Sequence, residues 1–268
     1  PALVRWIEQA LDLGITSFDH ADVYGGYSVE AAFGAALAAV PGLRQRLQII
    51  TKCGIKLVSP RRPAHAIKSY DSSSAHITAS VENSLRELRT DRIDLLLIHR
   101  PDWLAHPDEL AGTFAGLRAA GKVLHFGVSN HTAAQFAALH RRVALVTNQI
   151  EFSPLRMDAL GDGTLDQASD LGLVPMVWSP LAGGRLIAAA DEQAQRVRAV
   201  LEALGRTHGA SVATMAYAWL RRHPSRPIPI TGSGRIEALR EAVAALDITL
   251  SAEDWYRVWQ ASMNREVA

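Results

Sequence analysis

Four short stretches of the chain carry residue types that complement one another chemically. They are Asp19 and Tyr24 in FDHADVYGG, Lys52 in IITKCG, and His99 in DLLLIHRPD. A phenol is a poor acid near neutrality, with an ordinary pKa of about 10. An adjacent ammonium favours the phenolate, and a carboxylate keeps that ammonium charged and in place. An imidazole beside them orients a substrate carbonyl or shares its proton. Such a set is suited to protonating an oxygen.

These residues sit at or just after apolar, β-rich runs: Ile15 to Phe18, Leu47 to Thr51 and Ile93 to Ile98. In a parallel α/β protein the carboxyl ends of the strands open on one face, and ligands bind there. Groups at the same end of neighbouring strands therefore converge. Around them the pattern alternates helix and strand. Helices are predicted at 3–13, 29–39, 76–89, 108–120, 132–140, 163–171 and 235–245, with a long stretch at 191–221 broken at Gly209 and a tail helix from 251. Further strands are predicted at 123–128, 144–148, 173–178 and 228–231, and the Pro/Ser-rich segment 55–75 reads as a long loop. Strands that are apolar almost throughout, alternating with helices, specify a parallel sheet covered on both faces.

The chain has 268 residues, 48% hydrophobic and 21% charged, enough for one large core. A single (β/α)8 TIM barrel takes about 250 residues, and the whole of 1–268 is read as one such domain. About seven strands are visible and the chain opens on a helix, so the first strand of the barrel is expected to be missing from the N-terminus. No strand end carries the G-x-G-x-x-G turn of a doubly wound dinucleotide-binding sheet. The net charge of +1 gives no footprint for nucleic acid or an anionic membrane. One cysteine, Cys53, allows no internal disulfide and suits a reducing, cytoplasmic compartment. No apolar run is long enough to span a bilayer.

In their order and spacing these segments resemble the aldo-keto reductase family, particularly its bacterial oxidoreductases with DHADIYGGY-like and LLLIHRPD-like motifs. The similarity continues through GKVLHFGVSN, TNQIEFSP, WSPLAGGRL and PIPITGSGRIE. It implies a TIM barrel that binds a nicotinamide cofactor, NADPH or NADH, and reduces a small-molecule carbonyl to an alcohol. Matching motif positions make Tyr24 the general acid, completed by Asp19, Lys52 and His99. Ser129, Asn130 and Gln149 are implied as partners of the nicotinamide carboxamide, and Trp178 as the surface on which the ring stacks. Ser179, Leu181, Gly183, Gly184 and Arg185 form a turn placed for the pyrophosphate. Gly232, Ser233 and Gly234 precede a helix whose N-terminus favours a phosphate. Where many relatives carry an arginine for the 2′-phosphate of NADPH this chain has Ala238, so the charge falls to Arg235 and Arg240.

Taken singly, each residue has an ordinary structural reading. Trp178 suits a core, and Ser129 with Asn130 suits a cap for helix 132–140. Two other functions deserve comparison. A metal-dependent hydrolase would need more ligands than Asp19, His20 and His99 supply, and adjacent strand residues point to opposite faces. A non-catalytic nicotinamide-binding sensor would have no use for a complete proton-delivery set. Substrate choice is expected to lie in 55–75, RPDWLAHPD and 151–162, where Trp103 and Phe152 suit an apolar pocket and loop packing equally.

Overall fold

The computed structural model describes residues 2–268, which form two compact units divided between 148 and 149. In the first unit the helices are α1 (Ala2–Asp12), α2 (Val29–Ala39), α3 (Ser74–Leu88), α4 (Pro107–Ala119) and α5 (Ala133–His140). The strands are β1 (Ser17–Asp19), β2 (Gln48–Cys53), β3 (Ile55–Lys56), β4 (Ser69–Tyr70), β5 (Ile93–Ile98) and β6 (Val123–Ser129). β1, β2, β5 and β6 pair in parallel in that order, while β3 and β4 form a separate antiparallel pair. The segment expected to be loop thus contains a small hairpin and the start of α3.

Local chemistry sets the element ends. Ser73 caps α3 by accepting from the His76 amide, and Arg89 closes it in the left-handed region at φ 52°. Ile77, Val81, Leu85 and Leu88 of α3 are buried at helical spacing. Thr132 and Gln135 form a complete capping box on α5, which displaces Ser129 and Asn130 from the capping role expected of them. Helices α2 and α3 approach closely at Gly34, where a Cβ would lie 2.0 Å from the Glu87 carbonyl oxygen. Beside that contact Glu30 is buried and accepts from Thr51 Oγ1 at 2.6 Å and Ser84 Oγ at 2.9 Å.

The second unit contains β7 (Asn148–Glu151, counted from the last residue of the first unit), β8 (Met176–Trp178) and β9 (Ile228–Pro229), with β8 parallel to both others. Its helices are α6 (Thr164–Asp170), α7 (Arg185–Ala188), α8 (Glu192–His208), α9 (Val212–Arg221), α10 (Ile236–Ala244) and α11 (Ala252–Met263). α8 and α9 are separated at Gly209, φ 64°, as the sequence predicts. Val177, Leu201, Met215, Trp219 and Val258 form its core. Trp219 and Trp255 stack at 4.9 Å and exchange indole N–H bonds to each other's main-chain carbonyls.

One expectation needs correction, and one open alternative is settled. The strand placed at 144–148 is observed at Asn148–Glu151. The apolar run before it does lie along β6, through Val146 N–H to Phe126 O and Val128 N–H to Thr147 O, but regular strand pairing starts only at its end. Phe152 is fully buried and packs on Trp219 at 5.3 Å, as the packing reading has it. Trp103, by contrast, is 89% exposed. Among the described residues β1, β2, β5 and β6 run parallel in the first unit and β7, β8 and β9 in the second, all of them after α1.

Candidate active site

Three of the four residues expected to handle the proton meet through one atom. Lys52 lies near the end of β2 and is completely buried. Its Nζ donates to Asp19 Oδ2 at 2.6 Å, to Tyr24 Oη at 3.2 Å and to the His20 carbonyl at 2.8 Å. An ammonium has three hydrogens, and here each has an acceptor. The placement follows from strand pairing. Asp19 is in register with Ile50, one period-two step before Lys52, so the two side chains emerge side by side. The chain leaving β1 stays on this ladder, with His20 N–H bonded to Ile50 O and Asp22 N–H to Lys52 O. A tight turn then raises Tyr24, which is 38% exposed with its hydroxyl over the buried ammonium.

His99 follows β5 and continues the pairing through its N–H to Cys53 O. Its ring meets Tyr24 edge to face, centroids 5.9 Å apart. Burial, then the charges of Lys52, Arg100 and Lys68, push its pKa down to about 3. His99 is therefore neutral at physiological pH. Its Nδ1 is buried and has no hydrogen-bond partner in the structure. A neutral imidazole beside a phenol offers an oxygen a hydrogen bond without competing for the ammonium.

The other expected site residues distribute between the units. In the first, Ser129 ends β6 fully buried, accepting from Asn130 Nδ2 at 2.9 Å and from an Arg100 N–H at 3.3 Å. Asn130 holds a left-handed φ of 54°. In the second, Gln149 and Trp178 lie on the paired strands β7 and β8, Gln149 buried and Trp178 half-buried. Ser179, Leu181, Gly183 and Gly184 form the expected turn, with Gly183 at φ 63° and Gly184 at φ 93°. The amides of Ala182, Gly184 and Arg185 already donate within it, so fewer N–H groups are open than the sequence suggests. The Arg185 guanidinium is held by Asp191 at 2.8 Å.

Gly232, Ser233 and Gly234 lead into α10, where Ser233 Oγ accepts from the Arg235 amide. Arg235 is the exposed N-cap residue of α10, and its guanidinium makes no hydrogen bond or ion pair in the structure. Arg240 lies further along and pairs with Glu237 at 3.8 Å. Ala238 is buried, so its position faces packed protein instead of an open phosphate site. An unpaired guanidinium at a helix N-terminus and glycine-rich turns fit the phosphates of a nicotinamide dinucleotide.

Sequence reasoning missed the His20 carbonyl as the third acceptor for Lys52, because a main-chain acceptor leaves no trace in residue type. The His20 ring turns the other way, 4.3 Å from Phe33. Among the described residues no group of three or more His, Cys, Asp or Glu side chains is placed to hold a metal ion.

Comparison with known proteins gives the family. The family model "Aldo/keto reductase family" matches residues 2–262, and the chain belongs to that family. The family carries the (β/α)8 TIM-barrel fold, and its members bind nicotinamide cofactors. The chain is 46% identical to the uncharacterized oxidoreductase YcsN of Bacillus subtilis and 48% identical to the oxidoreductase YdhF of Escherichia coli, in both cases over 99% of this chain and 89% of the relative. It is 41% identical to a 6-dehydroglucose reductase of Agrobacterium fabrum, over 98% of this chain and 88% of that one. The glycerol dehydrogenase AKR11B4 of Gluconobacter oxydans superposes with a TM-score of 0.86 at 26% identity, covering 98% of this chain and 85% of that one. The protein is an aldo-keto reductase-type oxidoreductase. No helix among the described residues is long and apolar enough to cross a membrane.

Proposed function

We propose that the protein reduces an aldehyde or ketone to an alcohol, preferring NADPH, with Tyr24 as the general acid. The observation that carries this reading is the Lys52 ammonium, buried and shared between Asp19, Tyr24 and the His20 carbonyl. A bound reduced nicotinamide supplies the hydride. The chain's own residues manage the oxygen. His99, neutral and facing Tyr24, donates a hydrogen bond that aims the carbonyl oxygen at the phenol. Tyr24 gives up its proton as negative charge grows on that oxygen. The ammonium of Lys52, 3.2 Å away, then stabilises the tyrosinate, and Asp19 holds the ammonium from behind.

Ser129, Asn130 and Gln149 are suited to the carboxamide of the cofactor and Trp178 to the face of its ring. The NADPH preference rests on Arg235, an exposed and unpaired guanidinium beside Ser233 at the start of α10. A single-turnover assay with benzaldehyde and each reduced cofactor tests the whole reading. Alcohol formation with NADPH, abolished in Tyr24→Phe, is expected. Cofactor binding without turnover on any of a panel of aldehydes and ketones would make the protein a binding partner instead.

A further inference from the structure

Beyond the four proton-handling residues, the turn carrying Tyr24 contains an unusual run of backbone. Gly25, Gly26 and Tyr27 lie at φ 58°, 61° and 71°, all in the left-handed region. Two are glycines, for which this conformation is ordinary, but Tyr27 is not. A bulky residue there carries strain of order 1 kcal/mol or more and needs its surroundings to hold it.

The surroundings are explicit. The Tyr27 hydroxyl accepts the Leu57 amide at 2.9 Å, and its own hydrogen has the Ile55 carbonyl at 3.4 Å, the Leu57 carbonyl at 3.5 Å and His65 Nδ1 at 3.4 Å within reach. The Arg62 guanidinium stacks on the ring at 4.6 Å. Gly26 adds a contact of its own, its carbonyl accepting from Ser59 Oγ at 3.3 Å. Beneath, Ala21, Val23 and Ile55 form a small buried cluster against which Tyr27 and Leu57 pack. Ile55, Leu57, Ser59, Arg62 and His65 belong to the segment that follows β2, and β2 carries Lys52. Tyr27 therefore ties the turn holding one proton-handling residue to the continuation of the strand holding another.

We propose that Tyr27 is a positioning residue for the reduction, a latch that sets Tyr24 against Lys52. This inference rests on the reading of Tyr24 as general acid. The 3.2 Å contact between Tyr24 Oη and Lys52 Nζ joins two elements that are otherwise linked near the site by main-chain bonds such as Asp22 N–H to Lys52 O. Those bonds fix the base of the turn. Within the turn Tyr24 N–H bonds the Ala21 carbonyl and the Tyr24 carbonyl accepts from Ser28 and Val29, so the turn is internally closed; the Tyr27 side chain, three residues on, is what anchors it to the segment after β2.

The test compares Tyr27→Phe, Tyr27→Gly and Tyr24→Phe in the full chain by single-turnover hydride transfer from NADPH to benzaldehyde, by NADPH affinity, and by the pH dependence of kcat/KM. Tyr27→Phe keeps the ring and removes the latch. It should slow hydride transfer by about 10–100-fold, the scale of a misplaced reacting group, leave NADPH affinity unchanged and move the alkaline limb of the pH profile. Tyr27→Gly relieves the backbone strain yet should be at least as slow. A wild-type rate in Tyr27→Gly would show that the backbone alone sets the geometry and would overturn the proposal. So would a Tyr27→Phe enzyme with an unmoved pH profile whose loss matches its fraction unfolded. If Tyr24→Phe is inactive while Tyr27→Phe behaves as wild type, positioning alone fails. If Tyr24→Phe retains its rate, the general-acid reading fails first and the latch with it.

Discussion

The hydroxyl of Tyr24 lies 3.2 Å from the ammonium of Lys52, and the two differ sharply in environment, the phenol 38% exposed and the lysine fully buried. On the proposed reading, the proton donor faces incoming substrate while its charge partner stays out of water, where the attraction is strongest. Positioned general acids contribute about 10²–10⁴-fold to rate. Tyr24→Phe should reduce hydride transfer by roughly that factor with little change in cofactor affinity, and Lys52→Met should do the same. The double variant should lose scarcely more than either single one, since the pair acts as a unit. Single-turnover rates in the three variants check this, and additive losses would mean that the two residues act separately.

Cofactor choice should respond to Arg235. Its guanidinium is exposed and unpaired, whereas Arg185 and Arg240 are engaged with Asp191 and Glu237. Arg235→Ala is expected to weaken NADPH binding by about 1–3 kcal/mol, the usual worth of a charge-assisted hydrogen bond, and to spare NADH. Fluorescence titration with both cofactors distinguishes the cases. Equal wild-type affinities for the two would leave Arg235 without this role.

Gly34 is a packing requirement. A methyl group there would sit 2.0 Å from the Glu87 carbonyl oxygen, so α2 and α3 would have to separate. Alanine is the better helix former by about 1 kcal/mol, yet forced overpacking typically costs about 1–3 kcal/mol. Gly34→Ala should therefore lower Tm despite its helix propensity. It should also disturb the buried bond from Ser84 to Glu30, which spans the same pair of helices. Thermal unfolding by circular dichroism reads the sign directly.

Stability should depend on pH in two opposing ways. Burial lowers His20 and His131 to about 4 and His99 to about 3, against an ordinary value of 6.5. Between those limits the unfolded chain binds more protons, so stability is lost as pH falls from 6.5 towards 3. Asp22 behaves in the reverse sense. Burial first, then the neighbouring Glu30, raises it to about 8, while Arg62 and Ser80 oppose the rise. Its contribution is complete below about 4 and is lost as pH climbs through 8. Asp22→Asn should match the wild type best near pH 4 and gain on it steadily up to pH 8, by about 2–4 °C in Tm for each kcal/mol recovered. A gain that is constant with pH would mean that ionisation of Asp22 is not the cause.

Much of this site is legible in residue type and order because strand ends in a parallel sheet converge. Asp19, Lys52 and His99 each close an apolar run, and pairing of those runs carries the groups to one place. What stays hidden is backbone. The His20 carbonyl on Lys52 and the left-handed Tyr27 depend on dihedral angles and main-chain acceptors that no side-chain pattern records. The displacement of β7 has a related cause. The run from Val143 to Thr147 has strand character throughout, but composition does not say at which residue pairing becomes regular. Phe152 stays open in the sequence because an aromatic residue after a strand suits a pocket and a core equally, and the packing of Trp219 decides for the core.

The buried, three-fold bonded amine of Lys52 has one more consequence. Aldehydes condense with accessible primary amines to form imines, a hazard for any protein that handles them. An amine whose three hydrogens are committed to Asp19, Tyr24 and the His20 carbonyl has no lone pair to offer an electrophile. The arrangement that makes Lys52 useful as a charge also makes it inert as a nucleophile, so a carbonyl compound can occupy the site without condensing with it.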